Sequence, residues 1–142
     1  MQVSDTAKLV PLADSGLTVE NPQEDVRGFK VFDSVGEELG EVEDLFIDDE
    51  IKKVRFLVMA SGGGFLGMGR HKFLIPVDAI TSIEGETVRV DRTREHVASS
   101  PGYDPAIGAP TRPQVDELYA YYGYNPYWGS GYVYPPYPYF LG

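Results

Sequence analysis

Apolar and polar positions alternate in short runs through the middle of the chain, a pattern typical of a β-rich protein. Clusters of Gly, Asp, Glu and Ser separate these runs, as in small barrels and sandwiches. In the third run, around residues 53–60, apolar residues occupy both parities, so we expect a central strand covered on both faces. The pattern predicts strands near Gly28–Phe32, Leu39–Ile47, Lys53–Ala60, Lys72–Pro76, Thr81–Glu84 and Thr87–Asp91.

The second of these runs breaks the two-residue period. Glu41 and Glu43 alternate with apolar residues, which predicts that both glutamates face solvent. Leu45 and Ile47 share their parity, so strict alternation would put charged and apolar side chains on one face. A β-bulge near Glu43-Asp44 would add one residue, restore the apolar face and bend the strand, as closure of a small barrel requires.

A helix is predicted outside the strand region. Pro113 suits a first helical position, and Gly123 suits the residue that follows the last turn. A helix this short is marginal alone, so its apolar stripe is expected to dock on the barrel or on another subunit. Residues 93–97 predict one further helical turn. The stripe has the spacing i, i+3, i+4, i+7 and consists of Val115, Leu118, Tyr119 and Tyr122.

Composition and charge narrow the functional classes. The chain has 142 residues and a mass of 15.7 kDa, which suits one domain with attached arms. Lys and Arg number 12 against 22 Asp and Glu, and the resulting net charge of −10 argues against direct nucleic-acid binding. The absence of Cys excludes disulfides and cysteine nucleophiles. No signal-peptide pattern and no transmembrane segment are found, so a cytoplasmic location is expected.

The chain divides by composition into four parts. We expect an N-terminal arm over 1–25, the barrel over 26–97, a linker with the short helix over 98–123, and a tail over 124–142. Nine of the ten tyrosines follow residue 118, and the tail alternates aromatic residues with Pro and Gly. Tyr and Trp favour interfaces. The tail is therefore either a strap across its own barrel or an element for self-association or partner capture.

A glycine-rich segment between two predicted strands formally matches G-x-G-x-x-G over residues 62–67. A dinucleotide site also needs a helix directly after the glycines, whereas a strand is predicted there. We therefore expect a long hairpin tip that presents Phe65 and Leu66. The neighbouring basic island Arg70-His71-Lys72 suits an acidic partner or a phosphate.

Neither the acidic turn nor the histidines predict a catalytic or metal site. Carboxylates cluster around one turn without the spacing and glycine of an EF-hand, which favours a solvated turn over a weak cation site. Asp44, beside the expected bulge, is predicted to point inward and to hydrogen-bond the barrel backbone. His71 and His96 form no recognisable triad or metal set. No catalytic residue, cofactor or metal ligand is predicted. The clustered carboxylates belong to Asp44, Asp48, Asp49 and Glu50.

Several short motifs agree in order and distance with a known family. They are the Arg-Gly of residues 27–28, a Gly-x-x-x-Gly-x-Val-x-Asp over 36–44, the Ile-Asp turn at 47–48 and the Leu-Ile-Pro of 74–76. With these motifs, residues 26–97 resemble the PRC-barrel family.

The resemblance implies a mainly β protein with a small six-stranded, bent antiparallel β-barrel, an N-terminal arm, a short C-terminal helix and a Tyr/Pro-rich tail. It also implies an interaction module without catalysis of its own. In photosynthetic reaction centre H subunits such a module tunes proton uptake and quinone electron transfer, and in ribosome maturation factor RimM it helps to bind a ribosomal protein. The flanking segments 10–15 and 100–105 are similar to those of H subunits and of stand-alone bacterial PRC-barrel proteins.

The leading hypothesis is a non-enzymatic adaptor that binds a protein partner or itself, with a dimer as the favoured assembly. The alternatives are an RNA-processing or ribosome-associated accessory factor and a peripheral accessory of a membrane electron-transfer complex. No cofactor is expected. The predicted partner-binding residues are Phe65, Leu66, Arg70, His71, Tyr119, Tyr122, Tyr127 and Trp128.

Overall fold

A computed structural model describes residues 9–11, 25–48, 53–61, 72–101, 103 and 110–124. A short 3-10 turn, Val77–Ala79, joins β5, Lys72–Pro76, to β6, Ile80–Glu84, and the helices α1, Arg94–Ala98, and α2, Arg112–Tyr122, follow the last strand. All six predicted strands are present, and β1 adds a further strand from the predicted arm. The strands are β1 Leu9–Pro11, β2 Lys30–Phe32, β3 Glu38–Asp48, β4 Lys53–Ser61, β5 Lys72–Pro76, β6 Ile80–Glu84 and β7 Thr87–Val90.

The described strands form one curled sheet in the order β5-β4-β3-β2-β7-β6. β1 and β2 share one edge of β3, where β1 lies beside its end and β2 beside its start. The mainly β architecture with a short C-terminal helix is confirmed. One pair departs from the predicted antiparallel arrangement, because β2 and β7 run parallel. These two strands are far apart in the chain, so no hairpin dictates their relative direction.

The predicted bulge in β3 is confirmed. Val42 and Asp44 lie opposite consecutive residues of β4, so Glu43 is the extra residue. Beyond the bulge Leu45 is buried, as Val42 is, which is the apolar face that the bulge was expected to restore. A second register shift nearer the hairpin leaves Arg55 of β4 as an extra residue. The two bulges offset each other in register and bend the longest strand pair of the sheet.

Gly36, in the turn before β3, and Gly40, in β3 itself, are each required for a different reason. Gly36 has φ +92° in the turn between β2 and β3, a conformation that L side chains rarely adopt. Gly40 lies where β4 leaves no room for a side chain, since a Cβ there would be 2.1 Å from the carbonyl oxygen of Ala60. The first glycine permits the turn, and the second permits the strands to pair.

β4 is the central strand of the core. Its side chains from Val54 to Ser61 are all buried, which confirms that both faces are covered. Part of the covering comes from aromatic residues beyond the sheet. The ring of Tyr103 meets Phe46 of β3 edge-on at a centroid distance of 5.7 Å, and α2 packs against Phe56 of β4.

α2 begins and ends with strong local signals. Thr111 accepts a hydrogen bond from the Gln114 N–H, and the Gln114 side chain accepts one from the Thr111 N–H, which forms a capping box. Gly123 ends the helix in the left-handed conformation, as predicted. The predicted apolar stripe is confirmed, because its four members are all buried. They are Val115, Leu118, Tyr119 and Tyr122.

Candidate interaction surface

Two of the eight predicted partner-binding residues lie in the part of the chain that the structure describes. Tyr119 and Tyr122 are 0% and 1% exposed and belong to the hydrophobic core of their own chain. A partner would contact these side chains only after α2 had left the sheet. Their partner-binding role therefore stays a prediction, while their part in the core is established. The other six lie outside the described residues: Phe65, Leu66, Arg70, His71, Tyr127 and Trp128.

Tyr119 anchors the middle of α2 on the sheet. Its ring lies 5.7 Å from that of Phe56, measured between centroids. Its hydroxyl donates a hydrogen bond of 3.2 Å to Oδ1 of Asp78, in the 3-10 turn. A tyrosine suits this position because its ring is in the core while its polar tip reaches a carboxylate nearer the surface.

The end of α2 contacts α1 through an aromatic cluster, which we define as His96, Tyr121, Tyr122 and Tyr124. The His96 ring lies 4.4 Å from the ring of Tyr121 and 5.4 Å from that of Tyr122. The Tyr121 hydroxyl donates a hydrogen bond of 2.6 Å to the His96 carbonyl oxygen. Tyr124 stacks on Tyr122 at 6.5 Å. The cluster joins both helices by ring contacts and one strong hydrogen bond.

Arg92, between β7 and α1, holds the C-terminal end of α2. Its guanidinium donates a hydrogen bond to the Tyr122 carbonyl oxygen, where the helix dipole favours a cation. The same group lies 5.0 Å from the centroid of the Tyr124 ring, in cation–π contact. Asp91 completes the arrangement, because it pairs with Arg92 at 2.7 Å and accepts a 2.9 Å hydrogen bond from the Tyr124 hydroxyl.

Burial sets the protonation states in the aromatic cluster. It lowers the pKa of His96, and the positive charge of Arg92 lowers it further. Burial also raises the pKa of Tyr122. For Tyr124, burial and then the hydrogen bond to Asp91 raise the pKa. The cluster is therefore built for neutral side chains at physiological pH.

Asp33 joins the start of α1 to the turn between β2 and β3, a role that the sequence did not indicate. Its Oδ1 accepts hydrogen bonds from the N–H groups of Val35 and Glu37, at 3.0 and 2.8 Å. Its Oδ2 accepts one from the N–H of Arg94, at 2.9 Å. Burial raises the pKa of this carboxyl, but the backbone N–H groups outweigh burial and hold the pKa below its ordinary value. The sequence shows only that an Asp stands at the start of a turn, a position that Asp commonly occupies.

The fold, the bulge and the turn motifs are those of a known family. A family model for the PRC-barrel domain matches residues 19–97. The chain belongs to the PRC-barrel family. The matched segment includes β2 to β7 and ends within α1, so α2 with Tyr121, Tyr122 and Tyr124 lies beyond it. A comparison with curated proteins gave no match.

Two charged groups of the PRC barrel clarify the remaining sequence predictions. Asp44 is half-buried and its Oδ1 accepts a 2.8 Å hydrogen bond from the N–H of Leu45, so it does bond to the barrel backbone. Lys72, the last member of the basic island, pairs with the carboxylate of the bulge residue Glu43. This ion pair connects β5 to β3 across β4.

The acidic side chains of the PRC barrel form no metal site within the described ranges. These ranges contain no cluster of three or more side chains able to ligate a metal. Asp49 and Glu50 of the acidic turn lie outside them, as does the side chain of Asp48. In the part of the chain that the structure describes, no helix has the length and apolar character needed to cross a bilayer.

Proposed function

We propose that this chain is a non-enzymatic PRC-barrel adaptor that binds a protein partner or a second copy of itself through segments attached to the barrel. PRC-barrel domains are interaction modules. The observation that carries the proposal is the way the chain leaves the barrel. Tyr124 follows the helix end, and its ring and hydroxyl are held by Arg92 and Asp91. The tail 125–142 therefore starts from an anchored point.

The distribution of tyrosines supports an interaction role for this tail. Tyr119, Tyr121, Tyr122 and Tyr124 already contact the barrel or α1. Five further tyrosines and the single Trp follow at residues 127–139. Tyr and Trp give large contact areas at low cost in conformational entropy, which suits recognition surfaces. We assign these aromatic residues, beginning with Tyr127 and Trp128, to partner contact.

The glycine-rich segment is the second proposed contact region. β4 and β5 are antiparallel neighbours, with Ala60 opposite Lys72, so residues 62–71 connect them at one end of the sheet. Phe65, Leu66, Arg70 and His71 belong to this connection. We propose that it presents apolar and basic side chains to the same partner, in a cytoplasmic setting. The net charge of −10 favours a protein over a nucleic acid as that partner.

Light scattering coupled to size-exclusion chromatography tests self-association. The full chain is expected to elute with twice its 15.7 kDa monomer mass, and a chain truncated after Tyr124 as a monomer. The truncation keeps the anchor of α2 intact. The paired change Tyr127→Ser with Trp128→Ser should also give monomers, whereas the control change Gly129→Ala with Ser130→Ala should not.

Quantitative affinity capture tests whether the chain binds a protein partner. The full chain and the truncated chain serve as matched baits, with Phe65→Ser/Leu66→Ser as a third bait. The adaptor role predicts proteins enriched on the full chain and lost on the truncation. If the full chain is a monomer and the baits capture the same proteins in the same amounts, the adaptor proposal is wrong.

A further inference from the structure

His96 belongs to α1, and its side chain packs against α2. Two rings of α2, those of Tyr121 and Tyr122, pack against its imidazole at 4.4 and 5.4 Å. Its Nε2 is buried, and the described residues give it no hydrogen-bond partner. A neutral imidazole tolerates this position. An imidazolium would carry an N–H on both ring nitrogens, and the buried Nε2 has no hydrogen-bond partner among the described residues.

The groups around His96 act on an added proton in both directions, because Arg92 opposes it while Asp91 and a hydrogen bond to the Tyr121 backbone favour it. Arg92 lies on the segment before α1 and repels a second cation. Asp91 attracts one, but its carboxylate is already engaged by Arg92 at 2.7 Å and by the Tyr124 hydroxyl at 2.9 Å. From α2, His96 is faced by Tyr121 and Tyr122, which carry no charge at neutral pH. Their ring faces attract a cation, whereas burial of the imidazole and then the charge of Arg92 lower its pKa.

We propose that His96 is an acid-sensitive clasp, so that uptake of a proton by its imidazole releases helix α2 from the sheet. Release would break the ring contacts, the hydrogen bond from Tyr121 to the His96 carbonyl, and the seating of Tyr119 on Phe56. It would expose the apolar stripe of α2. Tyr119 and Tyr122, which are buried in the closed form, would then become available to a partner.

The sign of the pH dependence follows from the direction of the shift. The pKa of His96 is lowered in the folded state from an ordinary value of 6.5. The neutral imidazole of His96 therefore stabilises the closed form fully when the pH is well above 6.5. This stabilisation is lost as the pH falls from 6.5 towards the folded-state pKa. A single histidine can change the opening equilibrium by at most about tenfold between pH 7.5 and 5.5.

Hydrogen exchange followed by mass spectrometry of the full chain tests the clasp. Protection of the α2 peptide is measured at pH 7.5 and 5.5, corrected for intrinsic exchange and compared with β4 as an internal reference. Protection of α2 should fall severalfold at pH 5.5 in the natural chain, and β4 should not change. His96→Phe keeps a packed ring without a titrating group, so its α2 protection should be independent of pH. His71→Phe removes the other histidine and should behave as the natural chain does.

Two results would overturn the proposal. One is an α2 protection that does not change with pH in the natural chain, and the other is a pH dependence that persists in His96→Phe. Should that variant fail to fold, an NMR titration of the His96 imidazole in the natural chain decides. The clasp requires a midpoint below 6.5, with α2 protection falling between pH 6.5 and that midpoint, and a midpoint at or above 6.5 contradicts it.

Discussion

The two joints that attach helices to the sheet are built in opposite ways. In the α1 joint one side chain, Val97, enters the core, and the polar contacts converge on one buried carboxylate, Asp33, which accepts hydrogen bonds from the Arg94 N–H and from two N–H groups of its own turn. The α2 joint is distributed over an apolar stripe, the aromatic cluster and Arg92. A concentrated joint fails when one group is removed or protonated. A distributed joint loses part of its stability with each change, and most where the buried area is largest.

The largest effect is expected from Tyr119→Ala, which tests the distributed joint at its centre. Removing a fully buried aromatic side chain should lower the free energy of unfolding by about 3–5 kcal/mol. Tyr119→Phe loses only the bond to Asp78 and should cost about 1 kcal/mol. Urea denaturation measures both values. Hydrogen exchange should show that Tyr119→Ala lowers protection in α2 more than in α1, and equal losses would mean that the two joints are not separate.

The next largest effect concerns the sheet that both joints share. Gly40→Ala places a Cβ against the backbone of β4, and neither strand can yield without breaking their pairing. We expect a loss of about 3 kcal/mol in the free energy of unfolding. Gly36→Ala is the matched control, because its Cβ meets only the end of the Arg89 side chain and the cost, roughly 1–2 kcal/mol, is conformational. Urea denaturation should rank them in this order, and the reverse order would contradict the close approach of β3 and β4.

Asp33→Asn tests the concentrated joint. The amide keeps the shape of the side chain but loses the charge and one acceptor, so we expect a loss of about 2 kcal/mol at pH 7. The pKa of Asp33 is lowered by folding, so its contribution is complete above the unfolded pKa, about 3.9, and is lost as the pH falls below that value. Urea denaturation at several pH values should therefore show a difference between the two chains that shrinks below pH 4. A difference in the free energy of unfolding that stays constant from pH 6 to pH 2.5 would show that the charge of Asp33 does not stabilise the fold.

The smallest effect is expected from Tyr124→Phe, at the edge of the distributed joint. The change removes one partly exposed hydrogen bond to Asp91 and leaves the ring over Arg92. The expected loss is about 0.5–1 kcal/mol by urea denaturation. A loss above about 2 kcal/mol would show that the α2 joint is concentrated at its end, as the α1 joint is at Asp33.

Features governed by local pattern were predictable from the sequence. The parity conflict between Glu43 and Leu45 located the bulge, and the stripe through Tyr119 located the buried face of α2. The Thr111-x-x-Gln114 capping box was equally visible and marks a helix start one residue before Pro113. Local pattern carries this information because it reflects the geometry of a single strand or helix.

Features that join distant segments were not predictable. No periodicity links β2 to β7, so their parallel pairing was missed. The hydrogen bond that Asp33 accepts from the Arg94 N–H spans most of the barrel sequence, and the sequence showed only the turn residues around Asp33. The three-residue strand β1 is too short to show a period and depends on the edge of β3 for its pairing. The same limit applies to the candidate site. The apolar stripe of α2 shows that the helix packs against another surface, but it does not show which surface that is.

The central claim is that the aromatic tail serves interaction and is not a strap that holds its own barrel together. Urea denaturation of the full chain and of the chain truncated after Tyr124, at a concentration where both are monomers, tests it most directly. The account predicts free energies of unfolding that agree within about 0.5 kcal/mol. A truncated chain less stable by about 2 kcal/mol or more would show that residues 125–142 are part of the fold, and would contradict the claim.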